Sequence, residues 1–402
     1  MPEKFYWRPV LLACLIVSIG QLSVGLLFPS LPWIASDFHL TAEQVQRLIS
    51  FYLLGFGPSQ LLYGPISDAV GRRPMLLSGL GLAMLGLSVS VYGANQFEWL
   101  LWGRFIQGLG AGCCAVLARA SLRDSYAPNH LPQALTWLAV VASFSPIVAP
   151  VIGGFVNHHF GWFSVFVLLL SYIALVWLIL MLLFKETLSE RRAVPSLRQV
   201  LSDYKQLIVS PYFISFAGIG WFNYSLVVVA ISLMPFVMQV QIGMTSDEYA
   251  LWALLPAWGL LVGGMICNRL RPRIGTERML KIAPFIQLSA GVWLVLAPLT
   301  PVAMMIGQFI MVVGNGIAFP CAQSQLLLPF KKNAGAAAAL SGACQMVFAS
   351  LLSMTLMSFG ISQAWHMGVL IMLASLISSM LIRLGFRSLK GGNDVVACMS
   401  GQ

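Results

Sequence analysis

Charge is what this sequence has least of. Only 9% of its residues are Asp, Glu, Lys or Arg, while 58% are hydrophobic. Acids are the scarcer sign, 13 against 23 Lys and Arg. None of them falls deep inside an apolar run. Asp37, Glu43, Glu98, Asp247 and Glu248 lie near the ends of such runs, and Asp68 lies in a connection. That excludes a carboxylate pair set for general acid–base chemistry in the interior. The seven cysteines, at 14, 113, 114, 267, 321, 344 and 398, mostly sit within apolar runs and lack metal-ligand spacing, so they read as small buried residues. Of the five histidines, His158 and His159 fall in a short connection and read as a solvated pair. No sizeable soluble domain interrupts the chain. No cleavable signal peptide is evident either, because the apolar run at 9–28 is too long and no small-residue cleavage site follows. These absences exclude a membrane enzyme or receptor with a catalytic constellation, and they imply no cofactor and no metal.

What is present is lipid-compatible length. The mean hydropathy is +0.84, and apolar stretches of spanning length recur twelve times. We place them at 9–30, 46–64, 75–93, 99–118, 133–156, 162–184, 210–236, 249–268, 279–298, 302–327, 336–358 and 365–386. Lipid-exposed backbone must satisfy its hydrogen bonds within the segment, so the spans are helices and the fold is an all-α membrane protein.

The formal net charge of +10 would suggest a nucleic-acid partner in a soluble protein. Here the positive residues cluster between apolar runs, so topology explains them and no nucleic acid is implied. With the N-terminus placed in the cytoplasm, every Lys and Arg faces inward except Arg47, which faces outward, and Arg104, which lies inside a span. Both termini are then cytoplasmic. The longest polar connection, 185–209, divides the chain into an N-terminal bundle (1–184) and a C-terminal bundle (210–402) of six helices each. After Pro195 it reads either as a plain linker or as an amphipathic helix on the inner membrane face.

The two halves resemble each other. "GRFIQGLGAG" (103–112) aligns with "GQFIMVVGNG" (307–316) at an offset of 204, and "GPISD" (64–68) aligns with "GMICN" (264–268). Repeats of six helices mark a secondary transporter with a central site. In this alignment Asp68 becomes Asn268 and Arg104 becomes Gln308. The charged parts therefore belong to the first half.

The densest charge is "GPISDAVGRRP" (64–74), between the second and third spans. Gly64 reads as a site of close helix approach, and Pro65, Gly71 and Pro74 as a tight turn. Asp68 faces Arg72 and Arg73 or a helix N-terminus, making a charge-assisted clasp that gates the inner side. Arg104 lies ~9 Å along its helix from Glu98 at 1.5 Å per residue. A charge there costs on the order of 3 kcal/mol, so it should face the bundle, or else snorkel out to Glu98 or the headgroups.

"GPISDAVGRRP" resembles the loop signature of the major facilitator superfamily. "RFIQGLGAG" (104–112) is similar to that superfamily's fourth-helix motif, and "SPIVAPVIGG" (145–154) to its fifth-helix antiporter motif. "ARASLRD" (118–124) and "FYLLGFGPSQLLYGPISD" (51–68) resemble the Bcr/CflA branch of bacterial drug:proton antiporters. The resemblance covers nearly the whole chain. It implies the major facilitator fold, proton coupling through Arg104 with Gln107, and an antiport role for Pro146, Pro150, Gly153 and Gly154. The proton carrier would be a peripheral carboxylate such as Asp37 or Asp68, the substrate, or water near Arg104. "GWFSVF" (161–166) departs from the arginine-containing pattern of relatives.

Without carboxylates the cavity suits neutral, zwitterionic or mildly anionic amphipathic compounds. Its candidate lining is Gln21, Tyr52, Phe56, Trp221, Asn223 and Tyr224, although Trp and Tyr also serve interfacial belts. The reading is a monomeric multidrug exporter, exchanging drug-like substrates for protons in the bacterial inner membrane. The alternative is a proton-coupled transporter of one metabolite, such as a sugar, nucleoside or amino acid.

Overall fold

A computed structural model describes residues 5–188, 197–330 and 334–390. The elements run α1 (Trp7–Gly25), a 3₁₀ turn (Phe28–Ser30), α2 (Leu31–Asp37), α3 (Ala42–Val70), α4 (Arg72–Tyr92), α5 (Phe97–Ser125), α6 (Leu131–Phe160) and α7 (Trp162–Leu183). They continue with α8 (Leu197–Val209), α9 (Pro211–Pro235), a π-helical turn (Phe236–Gln241), α10 (Ser246–Trp252) and α11 (Leu254–Ile274). The last are α12 (Thr276–Leu296), α13 (Pro301–Leu327), α14 (Ala334–Ser358) and α15 (Ala364–Lys390). No strand occurs among the described residues.

Helix starts follow local chemistry. Thr41 and Gln44 form a reciprocal capping box at α3, and Ser210 and Thr300 cap α9 and α13 ahead of a proline. Among the described residues, eleven helical stretches are long and apolar enough to cross a membrane. The remaining expected span, 46–64, lies within α3, whose 29 residues extend about 43 Å at 1.5 Å each. This helix is long enough but more polar, and the reason is visible in its packing. Gln46, Ser50, Ser59, Gln60 and Ser67 are all buried, so its polar residues are shielded by protein.

Several expected details change. The first span runs from Trp7 to Asp37 rather than ending at 30, with α1 giving way to a 3₁₀ turn beside Pro29 and Pro32. Pro65 lies inside α3, not in a turn, and Gly71 alone, at φ 118°, separates α3 from α4. Gly64 makes no close approach: a Cβ there would meet Val116 at an ordinary 3.7 Å. His158 and His159 belong to the last turn of α6, not to a loop. Part of the 185–209 connection is helical, as α8, while 189–196 lies outside the described residues.

Contacts divide the chain into two compact units. One comprises residues 1–195 and 244–251, the other 196–243 and 252–402. Segment 244–251 thus packs with the first unit although it precedes α11. In the first unit, α5 is pressed between α3 and α4. A Cβ on Gly108 would strike the Tyr52 carbonyl oxygen, and one on Gly110 would strike the backbone of Ala83. In the second unit, α13 packs on α11 and α12, and α9 packs on α13, α14 and α15. A buried amide knot lies here. Gln287 Nε2 donates to Asn223 Oδ1 and, at 2.6 Å, to Asn315 Oδ1, while Asn223 Nδ2 donates to the Ile219 carbonyl at 2.6 Å. The aligned residues of the first half are Ala83 and Ala111, so the repeat replaces small-residue packing by hydrogen bonding.

Candidate transport site

Three groups of residues in the first unit carry its unusual chemistry. The first surrounds Arg72, the opening residue of α4. Its side chain, 9% exposed, binds Asp68 Oδ1 at 2.6 Å through Nη2, Asp124 Oδ2 at 2.8 Å through Nε, and Ser67 Oγ at 2.5 Å through Nη1. Asp124 ends α5, so one guanidinium joins the ends of α3, α4 and α5. Asp68 meets Arg72, as its position suggested, but it does not meet the helix N-terminus. Glu186 does that. Its carboxylate accepts from the backbone N–H of Arg72 at 2.9 Å and of Arg73 at 3.1 Å. Arg73 reaches instead to the Met181 carbonyl, at 2.8 Å. Burial opposes the charge on Glu186, but hydrogen bonds from the backbone N–H groups of Leu188, Arg72, Arg73 and Thr187 outweigh it and hold this carboxyl below its usual range. A Cβ on Gly71 would lie 2.5 Å from Glu186 Oε2 and displace that carboxylate, and the φ of 118° there is strained for any side-chain-bearing residue.

Ser67, Asp124 and Glu186 escaped the sequence reading. Asp124 could have been found within "ARASLRD" by asking which acid neutralises two adjacent arginines in an acid-poor chain. Glu186 gave no such signal, because it opens what reads as a linker.

The second group surrounds Arg104. It is 1% exposed, so it faces the protein interior and does not snorkel to Glu98. Nη1 donates to Gln107 Oε1 at 2.7 Å, Gln107 Nε2 donates to Ser23 Oγ at 3.1 Å, and Nε reaches the Leu48 carbonyl at 3.4 Å. The guanidinium carbon lies 4.5 Å from the centroid of the Tyr52 ring. Tyr52 stacks in turn on Phe56, with centroids 5.5 Å apart. Two expected pocket residues are thus joined to the expected coupling pair. Arg104 Nη2 is buried without a hydrogen-bond partner. Gln21 is half-buried on α1.

The third group lies on α6, which stays helical through Pro146 and Pro150. A Cβ on Gly153 would collide with the Leu26 carbonyl, and one on Gly154 would lie 2.6 Å from the Ser246 carbonyl oxygen. The paired glycines therefore face two different partners, the end of α1 and the segment 244–251. Asp37 is exposed at the end of α2 and accepts from Trp162 Nε1 at 2.5 Å.

The other pocket candidates lie in the second unit. Trp221 Nε1 donates to the Ser341 carbonyl at 3.0 Å, and Tyr224 is half-buried. Asn223 uses both amide atoms within the knot described above. Among the described residues no cluster of three or more His, Cys, Asp or Glu could hold a metal.

Spanning helices, related halves and an arginine buried within a span define a multi-pass membrane transporter rather than an enzyme. The chain belongs to the Major Facilitator Superfamily, whose family model matches residues 13–354. It is 30% identical over 369 residues to a multidrug resistance protein MdtL of Escherichia coli O157:H7, covering 91% of this chain and 92% of that protein. The Escherichia fergusonii MdtL is 29% identical over 368 residues with the same coverage. Among solved structures, a POT family transporter in complex with 5-aminolevulinic acid superposes with a TM-score of 0.80 at 12% identity, covering 96% of this chain and 98% of that one. A D-xylose–proton symporter gives 0.72 at 15% identity, with 93% and 97% covered. At such identities these two structures establish the fold alone, the twelve-helix major facilitator fold.

Proposed function

We propose that this chain is a multidrug efflux transporter, exporting amphipathic compounds in exchange for protons by alternating access. The carrying observation is similarity to proteins named for multidrug resistance over nine-tenths of both chains. The site adds chemistry to that reading. Arg104 is buried with amide, carbonyl and aromatic partners, and among the described residues no carboxylate pairs with it, so the site offers a fixed positive charge without a fixed negative partner. A permanent cation would find no counter-charge there. Neutral, zwitterionic or mildly anionic substrates fit this electrostatic character. Protons are the proposed coupling ion and Arg104 with Gln107 the proposed coupling pair. Gln21, Tyr52, Phe56, Trp221, Asn223 and Tyr224 are the proposed substrate contacts. The Asp68–Arg72–Asp124 cluster is the proposed inner gate. The protein is proposed to act as a monomer in the cell inner membrane, with both termini in the cytoplasm.

The test uses inverted membrane vesicles holding a proton gradient. Neutral and zwitterionic drugs should collapse the gradient in the presence of this protein. No response to any compound in a broad panel would sink the multidrug reading. A response confined to permanent cations would overturn the electrostatic argument.

A further inference from the structure

The end of the first unit that carries Asp37 holds a contact that the transport reading leaves unused. Segment 244–251 is seated there on α6. Ser246 Oγ donates to the Gly154 carbonyl at 3.3 Å, and the absent Cβ of Gly154 leaves the space that Ser246 and Ala250 occupy. One turn further along α6, His158 Nδ1 faces Asp247 Oδ1 at 3.3 Å, each side chain 38% exposed. Asp247 Oδ1 is itself closed off from solvent and accepts no hydrogen bond. A carboxylate oxygen in that position is a receptor for a charged donor, and the imidazole beside it becomes one only on protonation.

We propose that His158 is a proton-operated latch: its protonated imidazole pairs with Asp247 and holds segment 244–251 against α6, and its neutral form releases that segment.

The surrounding titratable groups are otherwise engaged. His159 meets the His158 ring edge to face, with centroids 4.9 Å apart, and has Nδ1 3.0 Å from the Phe155 carbonyl, so it is tied to its own helix. Asp37 accepts from Trp162, and Glu248 accepts from the Thr245 backbone N–H at 3.0 Å. His39 is exposed on the turn after α2. The region is also poised to open. Asn157 is buried with neither side-chain amide atom bonded, and Ser30 Oγ, in the 3₁₀ turn that packs on α6, is buried without a partner. Uncompensated polar atoms keep the closed state shallow, so one protonation can shift it. The sign follows from linkage. A positive imidazole binds the carboxylate more tightly than a neutral one, so protonation favours the closed segment and deprotonation favours its release. On the topology proposed above, this end meets the proton-rich side. An arriving proton would shut the seam there, which is the order antiport requires.

The proposal rests on the transport reading only for that sidedness, and its test is separate. Hydrogen exchange of the full chain in nanodiscs would be followed at about pH 5.5 and about pH 8, corrected for intrinsic rates. The peptide covering 244–251 should exchange about threefold more slowly at the acid pH, the size of one partly exposed ion pair. His158→Gln and Asp247→Asn should each erase that difference. His158→Lys, charged at both pH values, should keep exchange slow at both. Peptides from α4 and α5 report in the same experiment that each variant is folded. A wild-type protein without the difference, or His158→Gln retaining it, would overturn the latch. Wild-type vesicles that exchange no drug for protons would instead defeat the transport reading and leave the latch standing.

Discussion

Arg104 and Tyr52 meet in a buried cation–π contact: a guanidinium sealed from water, its carbon 4.5 Å from the centroid of the tyrosine ring. Among the described residues no carboxylate pairs with this arginine. An uncompensated buried charge is a cost to folding, so it is retained for something other than stability.

The first prediction concerns that cost. Arg104→Gln should leave thermal stability in detergent unchanged or raise it by about 1 kcal/mol, because a desolvated charge is removed. Drug-driven proton exchange should fall at least about tenfold. Arg104→Lys keeps the charge but loses the planar face over Tyr52 and the guanidinium fork, and should also be impaired. An unimpaired Arg104→Gln in the vesicle assay would remove Arg104 from the coupling pair.

At the Arg72 cluster the two acids should not count equally. Asp124 is 18% exposed and Asp68 37%. Asp124→Asn should therefore destabilise by about 1–2 kcal/mol and Asp68→Asn by less than about 1. Asp68→Asn should still insert and fold while losing transport. Melting curves with a transport assay on both variants separate the gating effect from the structural one.

Glu186 supplies a pH prediction. Its carboxyl is held below the ordinary range, so its contribution is fully present above the unfolded value of about 4.3 and is lost as pH falls through its lower folded value. Amide exchange at the first turn of α4 should stay slow at about pH 5 in the wild type. Glu186→Ala should speed it at that pH and at neutral pH, costing about 1 kcal/mol as loss of a helix cap does.

The two glycines of α6 should fail differently. Gly153→Val drives a side chain into the Leu26 backbone and should lower the melting temperature of the whole first unit. Gly154→Val meets only segment 244–251, and should release that segment while α1 and α6 stay packed. Cross-linking from introduced cysteines on each partner reads both outcomes.

In the second unit, Gln287→Leu should cost about 2–3 kcal/mol, because it strips a donor from Asn223 and Asn315 at once and leaves both amides buried. Thermal unfolding of the single variant, compared with the triple Asn223→Leu, Gln287→Leu, Asn315→Ala, should show the triple to be the milder change.

The sequence made the spans, the repeat and the inward face of Arg104 legible, because lipid imposes continuous apolar length and makes a lone charge conspicuous. It was least informative where a polar group is satisfied across the fold. Glu186 lies 114 residues from Arg72 and closes the helix that Arg72 opens. Gln287 sits among apolar neighbours, and nothing local says that it ties α9 to α13. His158 resembled a solvated loop residue because its partner comes from the other half of the chain. Pattern reading also misplaced Pro65, which α3 carries within its own length.

Gly71 sets a mechanical limit. A single residue stands between α3 and α4, and its φ of 118° belongs to a conformation that side-chain-bearing residues rarely adopt. A joint so short has no slack. Any tilt of α3 must be delivered to α4, as with two blades on one rivet, and Glu186, bonded across the joint, passes it to the chain leaving α7. One inserted residue at position 71 should therefore disable movement without unfolding either helix.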